Sequence, residues 1–436
     1  MRRKLIGLIL FVSALCCGCQ MRTVDQMYVP PERSEDFKSL QTVINNAMIG
    51  MEYSAPISGD NQQIVQMKDL DGDQVPECLL FTKGGEERPL HILIFSQRGE
   101  EYVHADTIDV VGTAFEKVEY AQIDGKGGVE IVVGSQVSDR VSRSVSVFSL
   151  SGGEAEQLVT ADYVNFLTVD LDANNRSELL VLRSGPTETD RGIAELFSVR
   201  DGIMERSVEV SMSETADKLK RILIGRLYGG EPAVYVASAV DENTLITDVF
   251  TVVDGVFTNV SLSSDSGTSI KTMRNYFIHA DDMDNDGIME LPSLMEMRSI
   301  DTARRDADNY LIRWYSMTAH GETVDKLHTY HNFIGGWYMQ VENELASQLS
   351  VVDLGNVCDF YVWTGDRPVK MFSVYTLTGQ SKETQSTAEG RFVLHKAESV
   401  IYSAKLDDGA LLYGITQETV IRNFHLIHEH WKTGEM

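Results

Sequence analysis

The sequence is poor in cysteine, proline and basic residues. Its 436 residues include 5 cysteines, 9 prolines, and 38 lysines and arginines against 65 acidic residues, for a formal net charge of -27. A nucleic-acid-binding surface needs a basic footprint, so this balance argues against nucleic acid as a partner. No two cysteines have the spacing of a zinc site. The hydrophobic content of 43% is nevertheless that of a folded chain.

Long apolar runs are also scarce, and the longest candidate stands at the N-terminus. Three basic residues at positions 2–4 precede an apolar run at residues 5–15. This run is too short to span a bilayer comfortably. Gly18 and Cys19 follow this run. The segment resembles a bacterial lipoprotein signal peptide that spans residues 1–18 and is followed by Cys19 as the lipidated residue. A plain secretory peptide is the alternative. The lipoprotein resemblance implies a membrane partner through the lipid and a position on the outer face of a bacterial cell membrane.

The next segments predict a tether, one helix and then many strands. Residues 19–33 contain two adjacent prolines and no periodicity, which is typical of a tether. Residues 34–48 place apolar side chains three and four apart, which predicts one amphipathic helix capped by Ser34. From there to about residue 332, short runs such as ECLLF, LHILIF, VEIVVG and ELLVL indicate strands separated by turns.

An acidic motif repeats through this β-rich region. DLDGDQVPECLLF begins at Asp69, QIDGKGGVEIVVG at Gln122, DLDANNRSELLVL at Asp170 and DMDNDGIMELPSL at Asp282. The interval between the last two copies is about twice the earlier intervals. This predicts a degenerate copy near residue 226, where the sequence is RLYGGEPAVYVAS. Intervals of this size fit the four strands of one propeller blade.

The motif Asp-x-Asp-x-Asp-Gly-x-x-Glu followed by a strand resembles the FG-GAP/VCBS-type calcium-loop repeats of integrin-like β-propellers. The resemblance covers roughly residues 50–330 and lies nearer the VCBS-like branch, because the Phe-Gly and Gly-Ala-Pro words are absent. It implies a mainly β fold, with a propeller of about five four-stranded blades (alternatively six or seven) within residues 34–332.

The spacing of the acids suggests why they recur. Calcium takes six to eight oxygen ligands, and acids at positions 1, 3, 5 and 9 of a tight loop, with a carbonyl at position 7, can supply them. The first copy offers Asp69, Asp71, Asp73, the Val75 carbonyl and Glu77, and the fifth offers Asp282, Asp284, Asp286, the Ile288 carbonyl and Glu290. A weaker set in the third copy is Asp170, Asp172, Asn174 and Glu178. The second copy, with Lys126 at position 5, and the fourth copy are expected to be turns. We therefore expect structural calcium.

The acidic repeat stops after residue 332. Residues 333–436 contain further strand-like runs, and residues 415–431 have the periodicity of a closing amphipathic helix with Val420, Ile421, Phe424 and Ile427 on one face. These features predict a small C-terminal α+β domain. The alternative is one or two degenerate blades, with VVDLGNVCDFYVW as a copy stripped of its ligands. Cys78 and Cys358 are expected to be buried thiols rather than a disulfide.

Three functions remain open at this level. The first is a membrane-anchored binding or scaffold protein with a protein or glycan partner. The second is a propeller enzyme, a polysaccharide lyase or hydrolase, although the sequence has no recognisable nucleophile and base. The third is a sensor or accessory subunit in envelope or spore biology. Fold alone does not decide among them.

Overall fold

The computed structural model of the chain is mainly β, with 52% of residues in strands and 10% in helices. It describes residues 35–84, 90–99, 101–137, 143–187, 189–276, 278–300 and 310–427. The predicted signal peptide, Cys19 and the tether lie outside the described residues. Within the described part, no helix is both long enough and apolar enough to cross a membrane.

The predicted N-terminal helix is confirmed and packs on the first sheet. Helix α1 spans Glu35–Ala47. Its buried Leu40 and Ile44 contact Cys78, Leu80 and Phe95 of that sheet. The apolar face that the amphipathic spacing creates on this helix therefore covers one face of the first sheet.

The strands form antiparallel sheets of four or five strands, mostly between neighbours in sequence. The first sheet contains β1 (Glu52–Tyr53), β2 (Val65–Lys68), β3 (Glu77–Lys83), β4 (Leu90–Arg98) and β5 (Glu101–Val110). The second contains β6 (Ala114–Ala121), β7 (Glu130–Gln136), β8 (Arg143–Ser151) and β9 (Glu154–Asp162). The strand-like runs of the sequence thus correspond to real strands, which hairpin turns connect.

The next two sheets repeat the same meander. The third contains β10 (Asn165–Val169), β11 (Glu178–Arg183), β12 (Ile193–Arg200), β13 (Ile203–Arg206) and the short β14 (Val210–Ser211). The fourth contains β15 (Leu219–Arg226), β16 (Pro232–Ala239), β17 (Leu245–Val253) and β18 (Val256–Asn259). The degenerate copy expected near residue 226 lies here, and its turn leads into β16 as the acidic loops lead into β3, β7 and β11.

All strands of the sixth sheet lie, in chain order, between the last two strands of the fifth. The fifth starts with β19 (Leu291–Glu296), β20 (Tyr310–Met317), β21 (Thr323–Asn332) and β22 (Trp337–Val341). After helix α2 (Asn343–Ala346), the sixth contains β23 (Leu349–Asp353), β24 (Val357–Thr364), β25 (Arg367–Thr378), β26 (Phe392–Lys396) and β27 (Val400–Leu406), with helix α3 (Lys382–Ser386) after β25. Helices α4 (Gly409–Leu412) and α5 (Gln417–Asn423) follow, and the last strand, β28 (Phe424–Leu426), pairs with β22 in the fifth sheet.

Two expectations for the C-terminal region need correction. The closing helix is only seven residues long, because Phe424 is already in β28, where its backbone pairs with Met339. The fifth sheet also continues across the predicted domain boundary at residues 332/333, since β21 and β22 pair on either side of it. Pairing between distant segments here outweighed local helical periodicity.

Buried apolar clusters join each sheet to the next. The first and second sheets share one around Phe81 and Phe115, and the fifth and sixth share one around Trp337 and Phe360. Three further clusters join the sheets between them. Cys78 and Cys358 are buried free thiols in different sheets, as predicted. Each sheet is therefore held by its neighbours in chain order.

Candidate metal centres in the repeat loops

The acidic motifs occupy equivalent places in their sheets. In the first three sheets the motif forms the loop that leads into β3, β7 or β11, at residues 69–76, 122–129 and 170–177. In the fifth sheet, residues 282–289 lead into β19, and the preceding strand is reduced to a bridge between Asp281 and Glu290. The repeat period of the sequence is therefore the period of the sheets.

These four loops share one backbone conformation. The fourth and sixth loop residues all have positive φ: Gly72 (81°), Gln74 (69°), Gly125 (76°), Gly127 (107°), Ala173 (59°), Asn175 (64°), Asn285 (58°) and Gly287 (84°). Left-handed φ is uncommon outside glycine, and it occurs at the same two positions whether or not the residue is glycine. The loop shape is therefore a property of the repeat.

The position-1 aspartates organise the loops through the backbone. Asp69 accepts hydrogen bonds from the amides of Gly72 (2.8 Å) and Gln74 (3.1 Å). In the same way, Asp282 accepts hydrogen bonds from the amides of Asp286 and Gly287, both at 3.0 Å. The equivalent bonds to Asp170 come from the amides of Asn174 (3.1 Å) and Asn175 (2.9 Å). Each of these aspartates is thus fixed inside its own turn.

The position-9 glutamates are buried beneath the loops. Glu77, Glu178 and Glu290 are at most 2% exposed. Their carboxylates accept hydrogen bonds from the amides of Leu70, Leu171 and Met283, respectively, at 2.8–2.9 Å. Burial raises the pKa of Glu77 and raises the pKa of both Glu178 and Glu290 to about 7. A nearby cation would favour their ionised form.

Three loops bring three carboxylates together. In each of these loops, three carboxylate oxygens from three different side chains lie within 4.8 Å of one another. The three sets are Asp69, Asp71 and Glu77; Asp170, Asp172 and Glu178; and Asp282, Asp284 and Glu290. An all-oxygen donor set of this kind suits a hard divalent cation. These three clusters could hold a metal ion.

The other predicted ligands surround these sets without joining them. Asp73 and Asp286 accept hydrogen bonds from the amides of Val75 (2.7 Å) and Ile288 (2.9 Å), the two residues expected to offer carbonyls. Asn174 donates a hydrogen bond to Asp172 at 2.9 Å. Positions 1, 3 and 9 therefore form the compact part of each site, and positions 5 and 7 form its rim.

The second loop has a lysine where the other loops have an acid or an amide at position 5. Lys126 Nζ lies 2.9 Å from Asp124 Oδ2, which also accepts a hydrogen bond from Ser149 at 3.0 Å. Burial raises the pKa of Asp124, but the hydrogen bonds from Lys126 and Ser149, together with the charge of Lys126, outweigh burial and lower that pKa. This loop thus carries its own cation on a side chain, and its interpretation as a turn without a metal stays a prediction.

The fifth loop also has a cation nearby, which the sequence motif did not reveal. Lys326 of β21 forms ion pairs with Asp284, at 3.5 Å, and with Asp286. Its ammonium lowers the pKa of Asp286. Lys326 is about forty residues beyond the motif and reaches the loop only because β21 lies in the same sheet, so no local signal predicts it.

The fourth copy has lost the loop itself. Only residues 227–231 connect β15 to β16. They form a tight turn in which the Leu227 amide donates a hydrogen bond to the Glu231 carbonyl at 2.8 Å. This connection is too short to present three acidic side chains to one ion. The lack of acids in the sequence of the fourth copy is therefore matched by a shorter backbone loop.

No family model and no curated protein matches the chain. Among solved structures, the fold is similar to the crystal structure of exotype rhamnogalacturonan lyase YesX, with a TM-score of 0.29 and 11% sequence identity. The similarity covers 66% of this chain and 63% of that chain. A likeness this weak carries no argument about activity.

Proposed function

We propose that the chain is a lipid-anchored, extracytoplasmic binding or scaffold protein whose repeat loops are braced by structural calcium. The observation that carries this proposal is the recurrence of one three-carboxylate cluster, on one backbone conformation, in three different sheets. Repetition at equivalent places favours a structural role, because an active site is normally assembled once.

Calcium fits these loops better than smaller cations do. It accepts six to eight oxygens in flexible geometry, whereas magnesium demands a near-ideal octahedron. Each cluster offers three carboxylates, with further oxygens on the rim, in an exposed loop that water can reach. Close carboxylates also repel one another unless a cation is present. Among the described residues, no lysine is ion-paired with the acids of the first or third loop as Lys126 and Lys326 are with those of the second and fifth, so the first and third loops are the stronger sites.

The sheets are proposed to be the blades of a β-propeller. The up-and-down order of the first four sheets and the apolar clusters between successive sheets support that architecture. The sixth sheet follows the fifth in the same manner, with β23 and β24 as its first two strands. We therefore favour six blades and assign β23–β27, at residues 349–406, to the last of them, in line with the alternative interpretation of VVDLGNVCDFYVW.

The calcium proposal is tested by melting the protein in metal-free buffer and with millimolar calcium. We expect calcium to raise the melting temperature by mass action, and Asp71→Ala and Asp172→Ala each to remove part of that rise. Asp124→Ala, in the loop held by Lys126, is the matched control and should leave the calcium response intact.

The result that would overturn the metal assignment is equal melting temperatures in the two buffers together with no heat of calcium binding. Turnover of an acidic polysaccharide by the purified protein, lost on substitution of a clustered acid, would replace the scaffold proposal with an enzyme.

A further inference from the structure

A second charged site, of the opposite sign, lies between the fourth and fifth sheets. Arg274 is 3% exposed and His279 is 6% exposed. The backbone of Arg274 is fixed by two 2.9 Å hydrogen bonds with Leu245, at the start of β17. The side chain therefore enters the protein from a rigid position.

The guanidinium of Arg274 makes hydrogen bonds only to neutral groups. Nη1 donates to Thr247 Oγ1 at 3.0 Å and to the Thr272 carbonyl at 2.9 Å, and Nε donates to the Ile278 carbonyl. Nη2 is buried and finds no acceptor among the described residues, and His279 Nδ1 is likewise buried without a partner there. Burial lowers the pKa of Arg274 only to about 10, so the side chain is a cation at neutral pH.

No carboxylate of the described residues lies within ion-pair distance of this guanidinium. Asp248 follows Thr247 in β17, but successive side chains of a strand point to opposite faces. Its carboxylate accepts hydrogen bonds from Ser213, Asn259 and Ser269. A buried charge without a counter-ion strongly destabilises the fold.

The register of the fourth sheet places a second arginine and a small residue beside this cation. Arg221 pairs with Ala237, and Ala237 pairs with Thr247, so these three side chains lie on one face. On the same face, Tyr235 and Val249 pack against the fifth sheet. Ala237 is 4% exposed and short, and it separates Arg221 from Thr247, which receives the hydrogen bond of Arg274.

The two arginines act on the same neighbour. Burial first, and then the charges of Arg274 and Arg221, lower the pKa of His279 to about 4. The imidazole is therefore neutral at pH 7, and its Nδ1 can donate a hydrogen bond in one tautomer. Arg274 and Arg221 therefore both lie close enough to His279 to act on it electrostatically.

We propose that this basic pocket, formed by Arg221, Ala237, Arg274 and His279, binds a small inorganic anion of chloride size. The anion accepts a hydrogen bond from Arg274 Nη2 and balances the charge of that guanidinium, and the charge of Arg221 adds to the attraction. The burial of Arg274 and His279 excludes the carboxylate of a larger ligand, and the positive charge of the arginines favours an anion over a water molecule. This site is independent of the calcium loops.

The test measures melting temperature in metal-free buffer while sodium gluconate is replaced by sodium chloride at constant ionic strength. For the parent, we expect a rise that becomes linear in the logarithm of chloride concentration. Arg221→Met, at the less buried arginine, should fold and lose most of that slope. Arg313→Met, which removes an exposed arginine paired with Asp325 at 3.4 Å, should keep the slope.

Crystals soaked in bromide give a second measurement that does not depend on a variant folding. An anomalous peak within hydrogen-bond distance of Arg274 Nη2 is the expected result. The proposal is overturned if the parent's melting temperature ignores chloride, if Arg221→Met keeps the parent's slope, or if bromide gives no peak there and a water molecule occupies the position.

Discussion

The Lys326 ammonium lies 3.5 Å from Asp284 Oδ2, and it is also ion-paired with Asp286. The fifth loop therefore differs from the first and third, although its acidic motif is as complete as that of the first. A side-chain cation and a calcium ion at the same carboxylates repel each other. Completeness of the motif is thus a poor guide to the order of calcium affinities.

Substitution of Lys326→Met should strengthen calcium binding at the fifth loop by about tenfold, because it removes a competing positive charge. In metal-free buffer the same variant should be less stable than the parent by about 1 kcal/mol, since the ion pairs are lost. Calorimetric titration and chemical denaturation measure the two effects. An unchanged calcium isotherm would mean that the ammonium moves aside at no cost.

The second loop offers a gain-of-function test. Its backbone already has the shared conformation at Gly125 and Gly127, and Glu130 is buried in the glutamate position. The double variant Gln122→Asp/Lys126→Asp restores acids at positions 1 and 5 and should add one calcium to the stoichiometry. Gln122→Asn/Lys126→Gln is the uncharged control. A stoichiometry equal to the parent's would show that the shared backbone is insufficient.

The buried glutamates make stability depend on pH in a defined direction. The pKa of Glu178 and of Glu290 is raised from 4.5 to about 7 by burial. The metal-free fold therefore has its full stability from these groups below about pH 4.5 and loses it as the pH rises to about 7. Calcium needs the ionised form, so its stabilising effect should grow over the same window.

Melting curves between pH 5 and pH 8, with and without calcium, measure both trends. Glu178→Gln keeps an acceptor for the Leu171 amide but does not titrate. We expect this variant to show a flatter pH dependence in metal-free buffer and a smaller calcium response at pH 8. If the parent and the variant have parallel profiles, Glu178 does not couple protons to calcium.

The last strand should contribute strongly to the fifth and sixth sheets. Phe424 is 7% exposed, and its ring lies 5.6 Å from that of Trp337 and 5.3 Å from that of Tyr402. Phe424→Ala should reduce the free energy of unfolding by about 3–5 kcal/mol. Leu412→Ala, at a side chain that is 76% exposed, should change it by about 0.5 kcal/mol or less. Similar losses for both variants would contradict this assignment of the core.

The proposed lipid anchor is tested at Cys19. Cys19→Ala should release the protein from the membrane fraction without changing its melting temperature, because the first described strand begins only at Glu52. Cys17→Ala, two residues earlier, is the control and should remain membrane-bound. Retention of the Cys19 variant in the membrane would place the anchor elsewhere.

Local patterns predicted the elements that local physics decides. The helix Glu35–Ala47 followed from apolar spacing, and the loop before Glu77 followed from its turn residues. The strand at Phe424 did not, because its backbone partner is Met339, far away in sequence. The ion pairs of Lys326 with the fifth loop were not predicted for the same reason, because the pairing of β21 within the sheet places this lysine next to that loop. Sequence patterns reveal such partners only when the register of the sheets is known.

The pairing of β28 with β22 makes the entire sixth sheet an insertion between two adjacent strands of the fifth. During synthesis, the edge of β22 stays without this partner until residue 426 has left the ribosome. The fifth sheet cannot be completed in order of synthesis, so the apolar surface around Trp337 stays unprotected for the longest time. A chain built this way gains from being held unfolded until it is whole, and translocation across a membrane before folding would provide that delay.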